Sequence, residues 1–169
     1  MSSKAREDCT ASVNVFSKII KSTLSKGNLL YIGLAGDPKG GEYSSLFLDF
    51  NIITADCDQR WGPDIILDIS KDKIEKYKNY FDVIVCTQVI EHVPDFWKIP
   101  EIINFYLKTN GYLIIDCPFF VEYHAEPPSF GDYWRITKDG FKYIFNKEYY
   151  KLISINDTKY NTSCLIQKI

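Results

Sequence analysis

Four glycines, Gly33, Gly36, Gly40 and Gly41, fall in the stretch LLYIGLAGDPKGGEYS at residues 29–44, in a chain with only nine. A backbone without Cβ atoms can turn tightly or let another molecule come close, so this stretch is a ligand loop or a tight turn. It is not a P-loop, because Lys39 precedes its glycines and no Gly-Lys-Ser/Thr follows. It is not a clean dinucleotide fingerprint either: Ala35 takes a glycine place, and Pro38 has no amide to aim at a pyrophosphate. Asp56 stands 23 residues after Gly33, at the end of an apolar run. A carboxylate there can accept hydrogen bonds from both hydroxyls of a ribose, or merely end a strand or cap a helix. Asp68 ends the next apolar run and could accept from an exocyclic amine such as adenine N6. Together these residues describe an adenosine without a pyrophosphate. Asp56→Ala is therefore expected to weaken adenosyl-ligand binding with little loss of folding.

A second group could move protons. The chain has two histidines, His92 and His124, and histidine is the side chain that changes charge near neutral pH. His92 suits a structural place near a strand end as well as a substrate contact. His124 is a candidate general base or an exposed loop residue, and Asp132 is a competing base or a brace for the loop. Arg135 is one of three arginines among 20 basic residues. Its planar fork suits a substrate carboxylate or phosphate, or a pairing with Asp132 or Glu126. Phe119, Phe120, Tyr123, Phe130, Tyr133 and Trp134 crowd the same segment; they can stack on a sugar or ring substrate or pin the loop to the sheet. The residues suggest no metal centre.

The elements that must position these groups follow from periodicity. Residues 11–25 place Val13, Phe16, Ile19, Ile20 and Leu24 on one helical face, with Gly27 as a C-cap. Helices are also expected over 41–48, 97–108 and 137–146. NLLYIG, NIITADCD, PDIILDI, FDVIVCT and GYLIIDCP are continuous apolar runs rather than alternating ones, which reads as a parallel sheet covered on both faces. The stretch YYKLISINDTKYNTSCLIQKI reads as two strands with a turn near residues 156–161, adding an antiparallel pair. Residues 118–135 form an aromatic loop too long for a simple connection, suited to a lid with Gly131 as a hinge.

Length and composition bound the rest. A chain of 169 residues with 46% hydrophobic and 25% charged residues reads as one globular domain, 1–169, opened by a helical segment over 1–27. A net charge of −2 gives no field for nucleic acid. The polar start MSSKAREDCT has no apolar leader, and no apolar run could span a bilayer. Five cysteines without zinc-type spacing read as reduced thiols, which together suggest a cytoplasmic protein acting on a small molecule, its oligomeric state open.

At this point the residues resemble a known family. FDVIVCTQVIEHVPDFWK resembles the hallmark segment of class I S-adenosylmethionine-dependent methyltransferases of the "EH" group. LKTNGYLIIDCPF is similar to the helix-to-strand turn that follows it there, and GDYWRITKDGF to a segment found in a subset of these proteins. The resemblance spans residues 28–145 and implies a Rossmann-like three-layer α/β sandwich, with a mostly parallel seven-stranded sheet whose last strand is antiparallel. It implies S-adenosyl-L-methionine as cofactor. Gly33, Ala35 and Gly36 would pass its methionine part, Asp56 would hold the ribose, Asp68 and Ile69 would border the adenine, and Thr87 and Gln88 would line the amino-acid and sulfonium end. His124 and Asp132 would then be the catalytic candidates, with His92, Tyr123, Tyr133, Trp134 and Arg135 towards the acceptor, which by analogy with the subset is a sugar hydroxyl. Two positions depart from the family pattern: Tyr31 stands where an acid is usual and Ala35 where a second glycine is. They support an alternative reading, a non-catalytic methyltransferase-like binding or scaffold module. A nucleotide-dependent oxidoreductase fits less well, because of Pro38.

Overall fold

The computed structural model describes residues 3–35, 43–125 and 130–169. Among them, seven strands form one sheet: β1 (Gly27–Ile32), β2 (Phe50–Asp56), β3 (Ile65–Ile66), β4 (Phe81–Cys86), β5 (Leu107–Pro118), β6 (Tyr150–Asp157) and β7 (Asn161–Lys168). Their order is β3-β2-β1-β4-β5-β7-β6. Pairing is parallel from β3 across to β5, whereas β7 runs antiparallel to both of its neighbours. This is the expected sheet with its antiparallel last strand, and the closing hairpin falls where the sequence placed it.

Side chains on alternate positions of each strand divide the core in two. Leu29, Tyr31, Val83, Val85, Ile114 and Leu165 face helix α1 (Ser3–Lys21), which packs Cys9, Val13, Phe16 and Ile20 on them. Leu30, Ile32, Ile84, Cys86, Ile115 and Cys164 face the other way, under helices α2 (Ile99–Tyr106) and α3 (Lys138–Ile144). Pro100 in the first turn of α2 and Thr137, whose hydroxyl accepts the Gly140 amide at 3.1 Å, fix where these two helices begin. No helix among the described residues is long and apolar enough to cross a membrane.

The helices depart from expectation locally. α1 begins at Ser3 and ends at Lys21, where the Ser22 and Thr23 hydroxyls turn back onto the Ile19 and Ile20 carbonyls. Gly27 is not its cap but the first residue of β1. A Cβ at Gly27 would lie 2.7 Å from Asp82 Oδ2, and that carboxylate accepts the Asn28 amide at 2.8 Å. The helix expected over 41–48 is a single 3₁₀ turn, Ser44–Phe47, with residues 41 and 42 outside the described residues. PDIILDI supplies only two strand residues. Asp64 ahead of them binds the Thr54 amide and hydroxyl, both at 2.8 Å, and Asp68 behind them caps the next turn.

Candidate functional site

The strand order reverses between β1 and β4, where connections leave the sheet in opposite directions, and in α/β sheets ligands bind beyond the carboxyl ends of strands at that point. A cleft of about 1040 Å³ opens there. Its walls include Gly33 and Ala35 after β1, Asp56 at the end of β2, Asp68 and Ile69 after β3, and Gln88 after β4. At its other end stand His92, Tyr123, His124, Phe130, Asp132 and Tyr133. Gly36 lies outside the described residues. Thr87 is buried beside this wall and is not on it, and neither are Trp134 and Arg135.

At the first end, backbone shape makes the space. Gly33 has φ +89°, and a Cβ there would meet Val89 Cγ2 at 2.3 Å, so only glycine passes. Asp56 is buried, and its two oxygens accept the Leu34 amide at 2.7 Å and the Asp58 amide at 2.9 Å. This carboxylate therefore brackets the glycine loop to the loop after β2, a task the sequence did not reveal, and each oxygen keeps a lone pair. Asp68 accepts the Ser70 amide and hydroxyl and pairs with Lys71 at 2.9 Å, which together lower its pKa against the opposing effect of burial. Gln88, with φ +55°, donates its amide to Asp116 at 3.0 Å and to Asn161 at 3.2 Å. Its Oε1 is buried without a partner. An orphaned acceptor at a cleft wall and a bracketed acid fit an adenosyl amino acid, whose ammonium group needs an acceptor and whose ribose needs a carboxylate.

At the second end, the two stretches that carry the family resemblance are docked on each other. The Glu91 carbonyl accepts the Tyr133 amide at 2.8 Å and the Trp134 amide at 3.3 Å. The Trp134 indole donates to the Val93 and Pro94 carbonyls, both at 3.1 Å. His92 Nδ1 donates to the Gly131 carbonyl, which ties the loop to the turn after β4. Arg135 is turned away from the cleft. Its guanidinium grips both oxygens of Asp132 and donates to the Val121 carbonyl at 3.3 Å. That grip holds the Asp132 carboxyl down at about 2, so Asp132 stays charged and is a weak proton acceptor. The same carboxylate accepts the His124 amide at 3.0 Å and lies 3.1 Å from His124 Nδ1, which is also 3.1 Å from the Glu122 carbonyl. Nδ1 of His124 thus carries the proton, and Nε2 has the lone pair. The His92 and His124 rings meet edge to face at 5.0 Å, and Phe130 lies 4.4 Å from His92. Burial lowers the His92 pKa and keeps that ring neutral.

Two buried acids escaped the sequence reading. Asp116 sits in β5 with no exposed surface, accepting Gln88 and Asn161, and burial raises its pKa. Glu91 is fully buried, burial and then Asp116 push its pKa far up, and neither carboxyl oxygen has a partner. The signal lies in the sequence itself: an acid inside the apolar run LIIDCP, and an acid beside His92.

Comparison with known proteins agrees with the geometry. Residues 41–153 match the sequence profile of the methyltransferase domain family. No protein of curated function matches significantly. Solved structures share the fold at low identity. An S-adenosylmethionine-dependent methyltransferase from Clostridium acetobutylicum matches with 12% identity and a TM-score of 0.65, over 99% of this chain and 92% of that one. The 1,6-didemethyltoxoflavin-N1-methyltransferase of Burkholderia thailandensis, solved with its substrate and S-adenosylhomocysteine, matches with 14% identity and a TM-score of 0.61, over 94% and 78%. The N-methyltransferase NodS of Bradyrhizobium japonicum, also solved with S-adenosylhomocysteine, matches with 14% identity and a TM-score of 0.61, over 91% and 85%. The matched profile covers more than half of the sequence, on a sheet ordered as the resemblance implied, and the chain belongs to the methyltransferase domain family.

Proposed function

We propose that this methyltransferase acts on a hydroxyl of a small molecule such as a sugar. The observation that carries the reading is the two-ended cleft, with glycine and acid at one end and paired imidazoles under aromatic rings at the other. Asp56 accepts from the ribose hydroxyls through its remaining lone pairs, Asp68 and Ile69 border the adenine, and Gln88 Oε1 receives the ammonium group. Gly33 and Ala35 let the methionine part lie against backbone. When bound, the cofactor supplies an electrophilic methyl group on a sulfonium sulfur.

The rest of the reaction is positioning and one proton. Tyr123, Phe130 and Tyr133 cover the acceptor and keep water out. The acceptor oxygen must lie in line with the methyl group, and holding it there supplies most of what such a displacement needs. The hydroxyl proton would pass to an imidazole Nε2, that of His124, as the methyl group leaves sulfur, its bonding pair staying on the sulfur, for the acceptor oxygen. Asp132 positions that ring from behind, fixed in turn by Arg135. A net charge of −2 and the size of the cleft suit a small acceptor better than a nucleic acid.

The test is calorimetric titration of the purified chain with S-adenosylhomocysteine, with NAD as control, followed by mass-spectrometric detection of methylated product from a panel of sugars and sugar nucleotides. Binding of S-adenosylhomocysteine alone, with product that requires His124, supports the proposal. Normal turnover in His124→Ala removes the base, and methylation confined to amines or thiols removes the hydroxyl.

A further inference from the structure

Glu91, His92 and His124 each bring a donor atom to one place beside the cleft, all within 4.8 Å of one another. His92 Nε2 is 3.6 Å from Glu91 Oε1. We infer that these three side chains form a binding site for a divalent transition-metal ion such as Zn²⁺, Co²⁺ or Mn²⁺, open to the acceptor end of the cleft.

Three independent features of the structure point to a cation. The first is Glu91 itself: a side chain with no exposed surface and two oxygens lacking any partner is costly, as an acid without a hydrogen bond or as an anion without a counter-charge, and a bound cation meets both needs. The second is the orientation of the rings. Metal-binding imidazoles characteristically donate their other N–H to a carbonyl or carboxylate, which fixes the ring and leaves a lone pair for the ion. Both rings here are held in that way, His92 by the Gly131 carbonyl and His124 by Asp132 and the Glu122 carbonyl, so both Nε2 atoms are free to bind. The third is the donor set. Two imidazoles and one carboxylate suit borderline first-row ions and leave positions for water or a ligand oxygen. The open side is the cleft, which His92 and His124 line and Glu91 does not.

The site goes beyond the methyl-transfer reading and does not depend on it. In the metal-free chain the imidazoles are free to take the proton of an acceptor. In the loaded chain their lone pairs and Glu91 hold the ion, which then anchors an acceptor oxygen.

The test is titration of the whole, chelator-stripped chain with Co²⁺, followed by its visible d–d absorption, with Zn²⁺ as competitor. The expected result is one Co²⁺ per chain with the spectrum of nitrogen and oxygen ligation, displaced by Zn²⁺. Glu91→Gln, which keeps the shape, and His124→Ala, at the cleft rim, should each weaken Co²⁺ binding at least about tenfold while S-adenosylhomocysteine affinity stays unchanged. No Co²⁺ spectrum in the wild-type chain, or one that both variants keep, overturns the site. Either result with normal S-adenosylhomocysteine binding leaves the methyl-transfer reading standing. Co²⁺ binding without S-adenosylhomocysteine binding fails that reading and keeps the site.

Discussion

Asp56→Asn separates two tasks of one carboxylate. In the folded chain its two oxygens hold the Leu34 and Asp58 amides at 2.7 and 2.9 Å. An asparagine keeps one acceptor oxygen and turns an NH₂ towards the other amide, so one charge-assisted bond is lost, about 1.5–3 kcal/mol. In a chain of 169 residues that lowers the melting temperature by about 3–12 °C. If the spare lone pairs also accept the ribose hydroxyls, binding loses a similar amount, roughly 10–150-fold in affinity for S-adenosylhomocysteine. Thermal unfolding without ligand reads the first effect, and calorimetric titration reads the second. A lower melting temperature with unchanged affinity would leave Asp56 as a bracket and refute its place at the ribose. Weaker binding at an unchanged melting temperature would refute the bracket.

His124→Ala should lower turnover about 10²–10⁴-fold at an unchanged Kd for S-adenosylhomocysteine, read by single-turnover assay and calorimetry. Gly33→Ala places a methyl group 2.3 Å from Val89 Cγ2 at φ +89° and should destabilise by about 2–4 kcal/mol; adding Val89→Ala should restore part of this in denaturant unfolding, and no rescue would refute the contact. Asp132 titrates at about 2 in the fold against an ordinary 3.8, so the stability it adds is complete above about pH 4 and is lost as pH falls towards 2. Discounted for solvent screening, that is about 1 kcal/mol, absent from the acid unfolding curve of Asp132→Asn. Glu91 has the opposite sign. Burial keeps its proton on, so metal-free stability declines as pH rises past its ordinary 4.5, and Glu91→Gln should remove that decline.

The sequence revealed the sheet wherever a strand was a continuous apolar run, as in NLLYI, FDVIVC and GYLIIDC, because burial on both faces leaves that pattern. It showed the stripe of large residues of α1 only from Val13 onward, because the buried face of the first turns is built of small residues, Ala5, Cys9 and Ser12. Gly27 looked like a helix cap because nothing local announces Asp82, 55 residues away and packed against it. The cleft residues were legible by their places at strand ends, but their partners were not. The pairing of Arg135 with Asp132 was one of the readings its position offered, whereas the two amides that Asp56 holds depend on loop paths no periodicity records. Glu91 was overlooked for a related reason: its lack of partners is a property of the folded interior, invisible in a string of letters.

The place of β7 has a consequence for how the chain folds. β6 touches the sheet only through β7, and β7 alone covers the far edge of β5. Until residues 161–168 are in place, β5 presents a row of unpaired amides flanked by Leu113, Ile114 and Ile115, the kind of edge that recruits other chains. Pairing of β7 with both β5 and β6 is what closes that edge. Contacts between α1 and that hairpin, Asp8 with Thr158 and Ser12 with Asn156, join segments about 150 residues apart. Such long-range closure slows folding, and a ribosome-bound chain lacking β7 should be the species that aggregates.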